Sequence, residues 1–199
     1  MMEFKINNYF ETPIYTGLKK DWVKKFNKLS DPYIKNSSET DYQSDSLLPN
    51  NNFKPLKDYI GINSWNILDH MGFDLSHYEL FFTELWVLEF SKSGGGHQDA
   101  HVHSDNHISG FYFLKCSNKT SYPVFYDPRP GALMSKLILK DTTKAGTGSE
   151  KINYKPEPGT FIFFPSYLKH YFVLDKGKDP FRFIHFNLQA VRKEIVKRK

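Results

Sequence analysis

The chain has a single cysteine, Cys116, among 199 residues. One thiol cannot build a disulfide framework within the chain, which points to a reducing compartment. It has no apolar run approaching the ~20 residues needed to cross a bilayer. Its opening, "MMEFKINNYF", lacks the apolar core of a secretory signal. A soluble, unsecreted, cytoplasmic protein with no membrane partner is therefore expected. Internal repeats are absent. So is a basic face: the formal charge is +5, and the ending "VRKEIVKRK" carries five basic residues against one acid. The excess sits in a terminal tail, read as a solvated end rather than a nucleic-acid surface.

Aromatic residues are abundant, with 18 Phe, 12 Tyr and 3 Trp, enough to fill a large core with rings. The length fits one domain. The expected organisation is a helical and looped N-terminal support region over 1–77, a β core over 78–191 and a basic tail over 192–199. In the first part, Trp22, Phe26 and Leu29 recur near helical spacing, predicting an amphipathic helix over 18–29. The stretch "SSETDYQSDSLLPNNN" reads as a loop. A second helix starts near Pro55 and carries Leu56, Tyr59, Ile60, Trp65, Ile67 and Leu68, with Gly61 a candidate break.

From Tyr78 the texture becomes that of strands. "YELFFTELWVLEF", "HISGFYFLKC", "YPVFYDP", "LMSKLIL", "GTFIFFP", "HYFVLD" and "FRFIHFNLQAV" are separated by Gly-, Pro- and Asp-rich turns. So many short strands predict an antiparallel barrel or jelly roll with helices packed on one outer face.

Four of the eight histidines, His97, His101, His103 and His107, crowd into "HQDAHVHSDNH". Three glycines just before them disfavour a helix. In an extended chain, residues two apart point the same way, so His101 and His103 can reach one ion. Asp99 shares that face, and Asp105 would too if the strand continued. A third ligand must come from elsewhere. His170, which opens an apolar strand after the Pro165 turn, is the best candidate. Arg182 lies inside a run that otherwise reads as buried strand. A buried guanidinium needs an anion, and a bidentate carboxylate would satisfy it. Arg182 in a structural salt bridge is the plainer alternative. If Arg182 points into the barrel, strand parity turns His185 outward. His97 reads as a rim residue, His107 as a structural hydrogen-bonder, and His70 and His77 as structural. "DPRPG" reads as a turn capped by Asp127.

The order His-x-His, apolar strand, distal His and then Arg resembles the Fe(II)/2-oxoglutarate-dependent oxygenases. The pieces "HVHSDNHISGFYFL", "FYDPR", "GTFIFFPSYLKH" and "RFIHFN" look like a small phage and bacterial branch of that superfamily, and "YFETPIYTG" also fits it. The likeness covers most of the chain and is strongest over 82–188. It implies a double-stranded β-helix, that is, a jelly roll, with Fe(II) at one open end. The superfamily pattern is His-x-Asp/Glu plus a distal His, a facial triad that leaves positions for cosubstrate and oxygen. Carried over, the metal ligands and catalytic residues are His101, His103 and His170. His103 stands where a carboxylate is usual, and Asp105 is an alternative ligand if the chain turns at "SDN". Arg182 maps to the arginine that holds the far carboxylate of 2-oxoglutarate. Ser109 is the favoured hydroxyl helper, provided Phe111 and Phe113 face inward and Tyr112 outward.

The implied activity is hydroxylation of a substrate by Fe(II), 2-oxoglutarate and O2, releasing succinate and carbon dioxide, with ascorbate as a candidate reductant. A prolyl residue of a peptide or protein is the nearest analogy for the substrate. For a phage-encoded chain, the compartment would be the host cytoplasm. Two other classes stay open: a three-histidine, cupin-like dioxygenase without 2-oxoglutarate, and a non-catalytic jelly-roll binding module. Arg182 discriminates between the two enzymes, because only the first gives it a role in cosubstrate binding.

Overall fold

The computed structural model describes residues 5, 9–34, 39–129 and 137–196. Among these residues the strands are β1 (Tyr15–Leu18), β2 (Asp41–Gln43), β3 (Tyr78–Phe90), β4 (Gln98–His101), β5 (Ile108–Lys115), β6 (Pro123–Tyr126), β7 (Lys151–Asn153), β8 (Thr160–Pro165), β9 (His170–Phe172) and β10 (Phe181–Arg192). The helices are α1 (Val23–Ser30), α2 (Lys54–His70) and the single turn α3 (Lys193–Val196). All pairings are antiparallel. The larger sheet runs β1-β8-β5-β10-β3-β2, and the smaller β4-β9-β6-β7. The two sheets form the expected jelly roll.

The long aromatic runs became strands as their β-branched and ring content predicts. The stretch "LMSKLIL" begins outside the described residues, and 137–139 are not in a strand. Three short strands, β1, β2 and β7, were not anticipated. β1 and β2 come from the N-terminal region, so that region extends both edges of the larger sheet as well as supporting it. Helix α2 runs unbroken through Gly61, where a Cβ would meet only open space. The missing side chain there is a weak helix former but opens no gap in packing. No helix among the described residues is long and apolar enough to cross a membrane.

The larger sheet has apolar cover on both faces. On one, Phe26 of α1 and Leu56, Ile60 and Ile67 of α2 pack on Tyr112, Phe161, Ile184 and Phe186. On the other, Phe111, Phe113, Phe164, Phe181 and Phe183 meet Phe125 and Phe172 of the smaller sheet. Tyr112 thus faces the helices, while Phe111 and Phe113 face the interior, as strand alternation requires. The strands at this crossing are also drawn close. A Cβ on Gly110 would overlap the Ile162 carbonyl oxygen and the Phe186 ring. Gly110→Ala is therefore expected to destabilise the fold by roughly 3 kcal/mol through overpacking. Urea denaturation should show a lowered midpoint with little change in slope.

Candidate metal centre

β4 ends at His101, and the chain turns after it. His103 follows outside the strand, with its backbone N–H on Ser166 O at 3.0 Å. His170 opens β9, directly opposite His101 in the register of the smaller sheet. This pairing brings residues 69 positions apart in the chain to one spot. Ring centroids are 5.0 Å apart for His101 and His103, 4.5 Å for His101 and His170, and 5.2 Å for His103 and His170. Imidazoles bound to one ion at ~2.1 Å, with bond angles near 90–110°, have centroids about 4.5–5.2 Å apart. Each of the three offers a nitrogen within 4.8 Å of the others.

Hydrogen bonding sets which nitrogen is free. His101 Nδ1 faces Asp99 O at 2.6 Å, and His170 Nδ1 faces Leu168 O at 2.9 Å. A carbonyl only accepts, so both Nδ1 atoms carry the proton and both Nε2 atoms keep a lone pair. The Nε2 atoms of His103 and His170 are buried with no hydrogen-bond partner. Such orphaned donor sites fit a metal ion. Burial holds His103 at a pKa of about 2, helped by the neighbouring His185, His170 and His101. Burial likewise lowers His170 to about 3, with His101 and His185 adding to the shift and the Leu168 carbonyl opposing it. Both stay neutral and competent as ligands at ordinary pH.

The surroundings of His103 include residues that the sequence did not single out. Asn187 Nδ2 donates to Glu84 Oε2 at 2.7 Å and lies 3.1 Å from His103 Nδ1. Ser109 Oγ donates to Asn187 Oδ1 at 2.6 Å and lies 2.8 Å from Ser166 Oγ. Ser109 therefore points inward as expected, but its hydroxyl is engaged in bracing Asn187. Glu84 is exposed, and its carboxyl is pulled down to about 2, chiefly by His185 with smaller help from Trp86 and Asn187. The only sign of Glu84 in the sequence was a carboxylate interrupting an apolar strand.

Glu84, His103 and His185 form a second group of convergent donor atoms. His103 Nδ1 already faces Asn187, so Nε2 is the only nitrogen left to this ring and can serve one ion at most. The His185 ring lies 4.3 Å from that of Trp86 and 4.7 Å from that of His103, tilted by 30° and 33°, and its Nε2 lies 3.5 Å from Glu84 Oε2. In the three-histidine set, carbonyls fix the free lone pairs of His101 and His170; His103 Nδ1 instead faces the Asn187 amide N–H, which leaves the His103 proton on Nε2, so ligation by His103 requires that amide to turn over.

The expected directions on β10 are reversed. His185 points inward, onto His103. Arg182 points at the helices, with Nε 2.6 Å from Glu89 Oε2 and Nη1 2.6 Å from Asp31 Oδ1. The structure does not bring Arg182 to the histidines; it makes the salt bridge that was the plainer alternative. The reason is periodicity: residues 182 and 185 have opposite parity, and the pocket made by Ser30, Asp31 and Glu89 takes the guanidinium. The chain does turn at "SDN", with Asp105 at φ 62°, but Asp105 is exposed and outside both donor groups. His97 is exposed at the rim. His107 Nδ1 accepts from the Ala190 N–H at 3.1 Å, a structural bond.

The sequence model of a family described as "Putative 2OG-Fe(II) oxygenase" matches residues 84–187. The chain belongs to this family of 2-oxoglutarate/Fe(II)-dependent oxygenases. No curated protein matches the chain. Similar solved structures include a 2OG-Fe(II) oxygenase family oxidoreductase from Burkholderia pseudomallei, with TM-score 0.59 and 11% identity over 84% of this chain and 77% of that one. HygX from Streptomyces hygroscopicus, solved with nickel and 2-oxoglutarate bound, has TM-score 0.56 and 9% identity over 89% and 83%. A prolyl-4-hydroxylase from Pseudomonas putida has TM-score 0.55 and 9% identity over 89% and 92%. At these identities the likeness shows the fold.

The depressed histidine pKa values give the metal-free protein a pH dependence. Below the ordinary value of about 6.5, the unfolded chain binds protons that native His103 and His170 refuse until pH 2–3. Stability should thus be level above pH 6.5 and fall as pH drops, by up to about 1.4 kcal/mol per pH unit for each such group. Urea midpoints measured between pH 8 and pH 4 test this. A flat profile would contradict the burial.

Proposed function

We propose that this oxygenase hydroxylates its substrate at an iron held by His101, His103 and His170. The observation that carries the reading is the convergence of the three imidazoles, two of them with Nε2 left free by carbonyl-bound Nδ1 atoms. Bound Fe(II) and 2-oxoglutarate would supply the oxidative chemistry, placing one oxygen atom of O2 in the substrate and the other in succinate, with release of carbon dioxide.

The chain's own residues position and shield. The Asp99 and Leu168 carbonyls fix two ligand rings, and Asn187, braced by Ser109, fixes the third. Phe111, Phe125 and Phe164 pack within 5.7, 5.8 and 4.8 Å of His170 and keep water from its buried side. A cavity of about 510 Å³ has Phe125 and Leu168, both neighbours of His170, in its lining, with Ile14, Pro13 and the Asp127–Arg129 ion pair nearby. That volume accommodates a substrate of side-chain to short-peptide size. A prolyl residue of a peptide is the class we assign first, in line with the prolyl hydroxylase that shares the fold.

One observation favours a second reading. With Arg182 engaged by Glu89 and Asp31, the residue that set this chain apart from three-histidine dioxygenases without 2-oxoglutarate no longer does so. That reading predicts oxygen uptake without succinate.

Anaerobic addition of 2-oxoglutarate to the Fe(II)-loaded protein is expected to produce a visible charge-transfer band, absent in His170→Ala. No band from folded protein, together with no succinate under oxygen, would sink the leading idea. Glu84→Gln is expected to leave the fold intact and weaken iron binding by about 10- to 100-fold, as loss of an outer carboxylate does. Competition with a coloured chelator measures it, and an unchanged affinity would remove Glu84 from the centre.

A further inference from the structure

A carboxylate taken out of water needs a cation or several donors to meet it. Arg182 is the only buried arginine or lysine among the described residues, at 3% exposure. Its Nε and Nη1 are held by Glu89 and Asp31, each at 2.6 Å, and Nη1 also meets Ser30 Oγ at 3.1 Å. On the same face of β10, Ile184 and Phe186 belong to the core under the helices. Turning Arg182 inward would break its pairs with Glu89 and Asp31, leaving Glu89 to Lys115 alone, and carry the guanidinium across the sheet.

The inward face offers no replacement. Next to His185 on that face come Phe183 and then Phe181, both in the core between the sheets. Phe183 stacks on Phe172 at 4.7 Å and 7°, and Phe111 and Phe113 lie within 5.3 and 5.7 Å of it. Rings thus fill the inward positions of β10 on the side of His185 away from Asn187. The cosubstrate's 2-oxo acid end needs only the metal, whereas among the described residues the inward face of β10 offers its far end no buried cation.

Resting on the oxygenase reading above, we propose that the centre selects its cosubstrate by the 2-oxo acid end alone. 2-Oxo acids without a second carboxylate bind as well as 2-oxoglutarate. Arg182 is a structural latch joining β10, β3 and α1.

The test is anaerobic titration calorimetry of the full Fe(II)-loaded chain with 2-oxoglutarate and with 2-oxobutyrate, which lacks only the far carboxylate. The expected Kd values agree within about tenfold, whereas a buried arginine–carboxylate grip would separate them by on the order of a hundredfold. A preference of that size for 2-oxoglutarate overturns the proposal and leaves the oxygenase reading standing. If neither acid binds, both fall. Arg182→Gln supplies a second readout. In the metal-free protein it should lower the thermal midpoint, while the 2-oxoglutarate Kd of the loaded protein stays within about threefold. A hundredfold rise in Kd with the midpoint unchanged overturns the latch. Should this variant fail to fold, the wild-type ratio alone decides.

Discussion

β10 is paired along its length with β3 and for most of it with β5, and it is covered on both faces. Side chains alternate along a strand, so fixing the direction of one residue fixes the rest; the register shifts at Arg182/Phe183 and Asn187/Leu188 place the extra residue in the neighbouring strands, Leu114 of β5 and Thr83 of β3, and not in β10. Arg182, Ile184 and Phe186 go to the helices, while Phe181, Phe183, His185 and Asn187 go between the sheets. A slip of one residue would place a guanidinium among phenylalanine rings and break its pairs with Glu89 and Asp31. The ion pairs on one face therefore help to hold Asn187 against His103 on the other.

The same strand shows where the sequence could be read and where it could not. Runs such as 78–90 and 160–165 announce themselves by β-branched and aromatic content. The pair His101 and His103 with distal His170 was legible because a metal demands convergence, and antiparallel pairing of β4 with β9 supplies it. The direction of Arg182 was not legible. A strand apolar on both faces has no alternation to reveal which face is which. Glu84 was hidden differently. In "YELFFTELWVLEF" it reads as one more polar residue on a half-exposed strand, and only its register opposite Asn187 brings it to the centre. β1 and β2, with four and three residues, owe their pairing to edges already built by β8 and β3, a tertiary effect with no local signal.

The family's usual carboxylate ligand contributes charge as well as a bond. Three neutral imidazoles leave a divalent ion's charge uncompensated in a partly dry site, which is costly. Here the nearest ionised carboxylate stands one residue outward: Glu84 touches Asn187, and Asn187 touches His103. An outer carboxylate compensates less than a bonded one, because distance and water weaken it, and Glu84 is exposed at the rim. In the centre we propose, a bound cosubstrate's own carboxylate would then carry more of the neutralisation. A 2-oxo acid brings that charge at the end that meets the metal, whether or not it has a second carboxylate further along. The proposed all-histidine centre and an inward β10 face lined with rings are thus mutually consistent. The first increases the need for an anion at the metal, and the second leaves the inward face of β10 without a cation to grip one further along.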